Sequence, residues 1–236
     1  DNGQQLYLSG RKLLYASEEL ERSIKQDSQY EGQVKIASPG SVGLELYPHL
    51  LKIQQAHPAL SIDYSFAPNK SIEKDLVDRK IDMGLITQLS QINNLINLKV
   101  ADEPLVLVTP YDVESIDWQT LIKLGFISHP DAAHHGQLLL SANFVEFEHI
   151  EQLPQNGFSN QISLLLTPVS MGLGFTVLPL YAAKAFETQS LIKIHKLQKS
   201  VSESLYLCLN RRSPLTNRSK FIKSSLITFL SEKTID

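Results

Sequence analysis

A single cysteine, Cys208, serves the whole chain of 236 residues. That excludes an intrachain disulfide framework and a Cys-based metal site. Cys208 lies within the apolar run Leu205-Tyr206-Leu207-Cys208-Leu209, so it reads as a buried core thiol rather than a nucleophile. No stretch approaches the ~18 consecutive apolar residues that a membrane span needs. The opening Asp1-Asn2-Gly3-Gln4-Gln5 carries no basic and apolar signal pattern. A cytoplasmic protein without membrane association is the expectation. Basic surplus is missing too: 22 Lys and Arg against 25 Asp and Glu leave a net charge of −3, and such a body is no electrostatic nucleic-acid binder. The one local excess runs from Lys184 to Lys223, opposed only by Glu187 and Glu203. It reads as a solvated rim around a C-terminal strand and helix.

Catalytic strings are equally scarce. There is no Gly-x-Ser-x-Gly elbow, no P-loop and no dinucleotide fingerprint. Glu146 and Glu148 alternate with Val145 and Phe147, as on the wet face of a strand. No catalytic residue and no cofactor is expected. Of the seven histidines, His129, His134 and His135 cluster, but neighbouring imidazoles on one element tend to point apart, so loop polarity or ligand contact is favoured over a metal. His57, before Pro58, suits a helix end. His49 and His195 have no partner at a recognisable spacing.

The residues present fall into a regular order. Near the start, Leu13, Ala16, Leu20 and Ile24 recur at steps of three and four, and Leu6, Leu13 and Leu20 at seven. This predicts an amphipathic helix whose narrow stripe suits pairing with a second helix. Asp27 interrupts the stripe, and packing on the helix's own domain is the alternative. From Gly32, strands are predicted at Val34–Ala37, Leu60–Phe66, Ile81–Ile86 and Leu105–Thr109, with helices between the first three. After Pro110 the alternation restarts. It gives a helix at Asp117–Lys123, a strand at Gly125–Ser128, a short helix near His134–Ser141 and a strand at Phe144–Ile150. A long apolar helix at Asn160–Leu173 follows, then a strand at Phe175–Leu178, a helix from Pro179 to Phe186, a strand at Ser204–Leu209 and a last helix built on Phe221, Ile222, Leu226, Phe229 and Leu230.

Such alternation predicts an α/β chain with parallel sheets in two lobes, joined by strands because no flexible linker intervenes. Open sheets of this kind bind ligands outside their strands' carboxyl ends. Small polar residues collect there: Ser38 and Ser41 after the first strand, Asn69 after the second, Thr87 and Gln88 after the third, Ser128 and His129 in the second lobe. Capping explains each singly, but helix N-termini gather at the same place, which makes a small organic anion a natural ligand. Within Met171–Pro179, Gly172 and Gly174 offer the backbone freedom that a helix C-cap and tight turn require.

At this point the chain resembles LysR-type transcriptional regulators. Gly32-Gln33-Val34-Lys35-Ile36-Ala37, with Leu46-Tyr47-Pro48-His49-Leu50-Leu51 and His57-Pro58, resembles the family's opening strand and helix. Leu76–Gly84 and Met171–Pro179 resemble its Ile-Asp segment and its Gly-x-Gly strand ending in Leu-Pro. Upstream, Leu8–Leu14 resembles the junction between a winged helix-turn-helix and a linker helix. The resemblance covers essentially the whole chain.

It implies two α/β subdomains like type 2 periplasmic binding proteins, joined by two crossing strands and preceded by a linker helix. The division would be 1–31, then 32–108 with 203–236, then 109–202. It implies an effector in the cleft, a homodimer or tetramer built through Leu6, Leu13 and Leu20, and DNA contact through a winged helix-turn-helix domain that this sequence does not contain. Carried over by position, the effector residues are Ser38, Ser41, Thr87, Ser128, His129, Gly174 and Phe175, beside Asn69 from the strand-end pattern. Pro168 departs from the pattern and is expected to kink the long helix. No Arg or Lys lies in these strings, so a bidentate clamp on a strongly charged effector is not indicated. A stand-alone solute-binding protein and a small-acid enzyme on the same architecture are the rival readings.

Overall fold

A computed structural model describes residues 2–25 and 27–233. Helix α1 (Asn2–Lys25) leads into β1 (Gly32–Ser38), α2 (Gly40–Ala56), β2 (Leu60–Phe66), α3 (Asn69–Val77) and β3 (Met83–Ile86). A strand of 16 residues follows, β4 (Leu95–Pro110). Then come α4 (Trp118–Leu124), β5 (Phe126–Ser128), α5 (Ala132–Asn143), β6 (Gln155–Phe158), α6 (Leu166–Ser170), β7 (Thr176–Pro179), α7 (Leu180–Lys184), β8 (Ile192–His195), β9 (Ser202–Asn210) and α8 (Asn217–Lys233).

Strand β1 sits between β2 and β3, parallel to both. Covered on two faces, it buries successive residues rather than alternate ones at Ile36, Ala37 and Ser38. One face carries α2 and α8 in a core around Ile36, Leu46, Leu50, Leu85 and Leu226. The other carries α3 in a core of Ile72, Leu76, Ile86 and Cys208. Helix α2 stops at His57, since the residue before Pro58 is pushed out of helical geometry.

Two strands cross between the cores. From Leu95 to Pro104, β4 pairs antiparallel with β9; from Leu105 to Pro110 it pairs antiparallel with β7 and β8 instead. The second half of the chain packs two further cores, one around Leu121, Phe126, Leu139 and Phe175 and one around Val108, Leu165, Val169 and Leu178. The α/β architecture in two sheets is therefore present, but only β2-β1-β3 and β5-β6 are parallel pairs. The crossing strands and their partners are antiparallel, so the sheets are mixed rather than purely parallel.

Two predicted elements differ. The strand expected at Phe144–Ile150 is irregular chain that buries Phe147 and Ile150 and leaves Val145 exposed. The long helix expected at Asn160–Leu173 is a single 3-10 turn at Ile162–Leu164 followed by the short α6. Pro168 falls in the first turn of α6, where its missing N–H removes no helical bond, and the expected kink does not arise. Strands β6, β8 and the first ten residues of β4 were not anticipated. Each is exposed, very short or interrupted by charge, so none carries a clean period.

Among the described residues no helix is long and apolar enough to cross a membrane. None of their His, Cys, Asp and Glu side chains form a group of three that could hold a metal.

Candidate functional site

A cavity of about 500 Å³ opens where strands of both sheets end. Its wall comes from Pro39, Gly40 and Ser41 after β1, from Phe66, Ala67 and Pro68 after β2, and from His129, Pro130 and Asp131 after β5. His135 on α5, Ser159 to Ser163 after β6, and Pro179 at the end of β7 complete it, with Leu44 of α2. The strand ends among them are carboxyl ends, because β1 and β2 run parallel, as do β5, β6 and the chain entering β7. The two sides meet beside it: a Cβ on Gly40 would lie 2.7 Å from Ile162 Cγ2, and Leu44 packs into the core around Leu165 and Leu178.

Of the expected effector residues, Ser41 and His129 line this cavity and the other six do not. Ser38 is fully buried one residue short of the wall; Tyr64 Oη donates to its Oγ at 2.7 Å. Asn69 and Thr87 satisfy one another, with Asn69 Nδ2 donating to Thr87 Oγ1 at 3.0 Å and Thr87 N–H to Asn69 Oδ1 at 3.2 Å. Ser128 uses its carbonyl to hold the Ser159 N–H at 3.0 Å. Gly174 and Phe175 precede β7, whereas the cavity touches its far end at Pro179. Phe175 is core, stacked edge-on against Phe126.

His129 is wholly committed. Its Nε2 donates to the Val177 carbonyl at 2.8 Å and its Nδ1 accepts from the Asp131 N–H at 3.3 Å. Burial, more than the neighbouring His135, pulls its pKa down to about 4, so the ring is neutral. Ser41, rather than capping α2, donates to Glu103 Oε2 at 3.1 Å. Glu103 stands opposite Glu203 in the β4–β9 register, both almost fully buried. Burial pushes Glu103 up to about 8, against the opposing pull of the Ser41 hydrogen bond. From α5, His134 Nε2 approaches Glu203 Oε1 at 3.0 Å and His135 Nε2 approaches Oε2 at 3.4 Å.

The histidine run thus reaches a buried carboxyl pair on the crossing strands. Sequence reasoning missed Glu103 altogether and took Glu203 for a surface counter-charge. The available signal was a glutamate inside each of two apolar strands. Phe66, Asp131, Asn160 and Gln161 were also missed as lining residues; their convergence depends on loops far apart in sequence.

Leu6 and Leu13 of α1 are 76% and 74% exposed, so neither packs on the chain's own body. The Leu20 side chain lies outside the described part. Cys208 is buried in β9 and its thiol is pushed up to about 11 by burial, as a core residue's should be.

A family model described as the LysR substrate binding domain matches residues 27–225. The HTH-type transcriptional regulator YofA of Bacillus subtilis (strain 168) is 24% identical, over 98% of this chain and 80% of that protein. Among solved structures, HinK, a LysR family transcriptional regulator from Pseudomonas aeruginosa, superposes with a TM-score of 0.74 at 15% identity, covering 99% of this chain and 81% of that one. The effector binding domain of QuiR in complex with shikimate gives 0.66 at 17% identity, covering 86% and 98%. At these identities the two structures share the fold.

Proposed function

The chain belongs to the LysR substrate binding domain family, the ligand-sensing part of transcriptional regulators, and from that premise we propose that its effector occupies the cavity at the strand ends, with Ser41 and His129 in its wall. The observation carrying this reading is that one cavity of about 500 Å³ takes its lining from loops on both sides of the crossing strands. A ligand held there has different contacts when the sides move, and that difference is what shifts a conformational equilibrium. The QuiR domain, similar in fold, is seen with shikimate, which supports a small-molecule occupant.

The rest of the reading follows from the same premise. The units are 1–31, 32–108 with 203–236, and 109–202, with the end of β4 as the exception, since Leu105, Val106, Leu107 and Val108 pack in the cores of the 109–202 unit. The regulator works in the cytoplasm as a homodimer or tetramer paired along α1, on DNA gripped by a winged helix-turn-helix domain. An enzyme on this architecture is the weaker reading, because His129 in the wall has both nitrogens bonded to main chain and His135 turns its Nε2 to the buried Glu203.

Thermal unfolding against a panel of small organic molecules tests the site. A ligand at a hundred times its dissociation constant adds ~2.7 kcal/mol, which for this chain length moves the midpoint by roughly 5–10 °C. The shift should vanish in Ser163→Trp, which fills the cavity from an exposed lining position. A shift of the same size in that variant would place the ligand elsewhere and end this reading.

A further inference from the structure

Two polar residues of the cavity wall are tied inward, to the strands that cross behind it. Ser41, in the first turn of α2, donates to Glu103 on β4 at 3.1 Å. His135, on α5, turns its Nε2 to Glu203 on β9 at 3.4 Å, and His134 reaches the other oxygen of that carboxyl at 3.0 Å. Helix α2 packs in the core around Leu46 and Leu50, α5 in the core around Leu139 and Leu140. The two sides of the cavity are therefore fastened to the crossing strands through two carboxyl groups, and those groups are register partners.

The pair is badly placed to carry two charges. Glu103 is 1% and Glu203 6% exposed, and like charges directly opposite on a ladder repel, the more so out of water. Glu103 Oε1 is buried with no hydrogen-bond partner among the described residues. Around the two carboxyls stand Ser41 on α2, His134 and His135 on α5 with Asp131 just before that helix, and neutral His129, whose ring centroid is 5.3 Å from that of His135. Tyr181 on α7 completes the surround, its phenol pushed up by burial and then by the Glu103 charge. Among the described residues neither glutamate is ion-paired with Lys or Arg, and Lys99, the basic residue of β4, pairs with Asp102 instead. Two carboxyls sharing such a site keep a proton where a solvated carboxyl has lost it.

We propose that the Glu103–Glu203 pair is a proton-linked latch: with the two sides drawn together on Ser41 and the histidines it holds a proton, and parting them admits water and lets that proton go. Moving α2 away from α5 must break the Ser41 bond or the histidine contacts, and either rupture hydrates a carboxyl. Burial, more than the Glu203 charge, raises Glu103 from 4.5 to about 8. Between those values the closed arrangement carries one proton more than the open one, so the closed-to-open ratio falls by at most about tenfold per pH unit as pH rises. Below 4.5 both arrangements are protonated there and the ratio levels off. The latch needs no ligand, so it does not depend on what the cavity binds.

Nitroxide labels on Lys70→Cys and Thr167→Cys, exposed on the two sides and outside the lining, read the opening of the whole chain by dipolar spectroscopy. Dilution with unlabelled chain leaves only pairs within one molecule, and buried Cys208 takes no label. Raising the pH from 5 to 9 should move population from a shorter to a longer separation. Glu103→Gln, neutral at every pH and still able to accept from Ser41, should hold the shorter separation throughout, with its folding checked by urea unfolding. Glu203→Gln gives a second decision without touching Glu103: the transition should stay but move to lower pH, because the charge that repels an ionised Glu103 is gone. Separations that ignore pH in the labelled parent would overturn the latch, whether or not the cavity holds the effector. A transition unmoved in both glutamine variants would place the proton elsewhere and overturn it as well.

Discussion

Glu103 and His129 are the two groups whose surroundings change their protonation most usefully. A carboxyl raised from 4.5 to about 8 holds its proton in the folded chain while the unfolded chain has lost it. Its contribution is fully present below pH 4.5 and is lost as pH rises through 8, with a slope of at most about 1.4 kcal/mol per pH unit. An imidazole lowered from 6.5 to about 4 acts in the opposite sense. Its contribution is present above 6.5 and is lost as pH falls through 4. Glu103→Gln should therefore flatten the fall in urea stability between pH 5 and 8 while leaving the acid limb in place. An unchanged slope above pH 6 would mean that Glu103 is ionised in the folded chain. Neither shift was legible in the sequence, because both arise from burial among elements far apart along the chain, Glu103 on the crossing strands and His129 against β7, which no local pattern announces. Ser41 illustrates the same point. Its position after β1 was readable, but its hydroxyl serves a glutamate 62 positions away rather than capping the helix it belongs to.

At the scale of elements, the segment from α6 into β7 shows how far local chemistry reaches. Gly172 has φ of +79°, and Gly172 N–H and Leu173 N–H bond the carbonyls of Val169 and Pro168, closing α6 as the two glycines suggested. The second glycine has a different reason: a Cβ on Gly174 would meet the Gly125 carbonyl oxygen at 2.6 Å, whereas Gly172 has open space. Gly172→Ala should cost about 1–2 kcal/mol from the left-handed backbone alone. Gly174→Ala should cost more, because main chain must move as well. Urea unfolding of the two variants decides it, and equal costs would remove the close approach as the cause. The elements that sequence periodicity misplaced share one trait. Phe144–Ile150 alternates in sequence but buries Phe147 and Ile150, three apart, in irregular chain. The first half of β4 contains Lys99, Asp102, Glu103 and Pro104, which only pairing with β9 makes into strand.

Over the whole molecule, α1 joins the body through Asp27. Its carboxylate accepts from the Asn217 N–H at 2.6 Å, at the start of α8, and from Arg218 Nη1 at 3.2 Å, while Arg218 Nε donates to the Gln33 carbonyl at 3.0 Å. Tyr30 then stacks on His57 at 4.2 Å between ring centroids. The residue that interrupts the leucine stripe is thus tied to α8, whose Arg218 in turn holds β1. Leu6 and Leu13 of the stripe stay uncovered, and if they pair two chains, Leu6→Glu with Leu13→Glu should halve the mass seen by light scattering. Exposed positions of this kind change stability by only about 0.5 kcal/mol, so the body should unfold as before. A mass unchanged by both substitutions would remove α1 as the contact.

The α/β class, the restart after Pro110, the stripe on α1, the glycine stop before β7 and the family resemblance were all readable from residue order. Each depends on spacing, caps or propensity within a few residues. The antiparallel pairing of the crossing strands, the short α6, the lining of the cavity and the Glu103–Glu203 pair came only with the tertiary structure. They join residues tens to a hundred positions apart, and which side of a wall a side chain faces is set by how sheets are stacked and strands directed, a relation that periodicity along one chain does not contain.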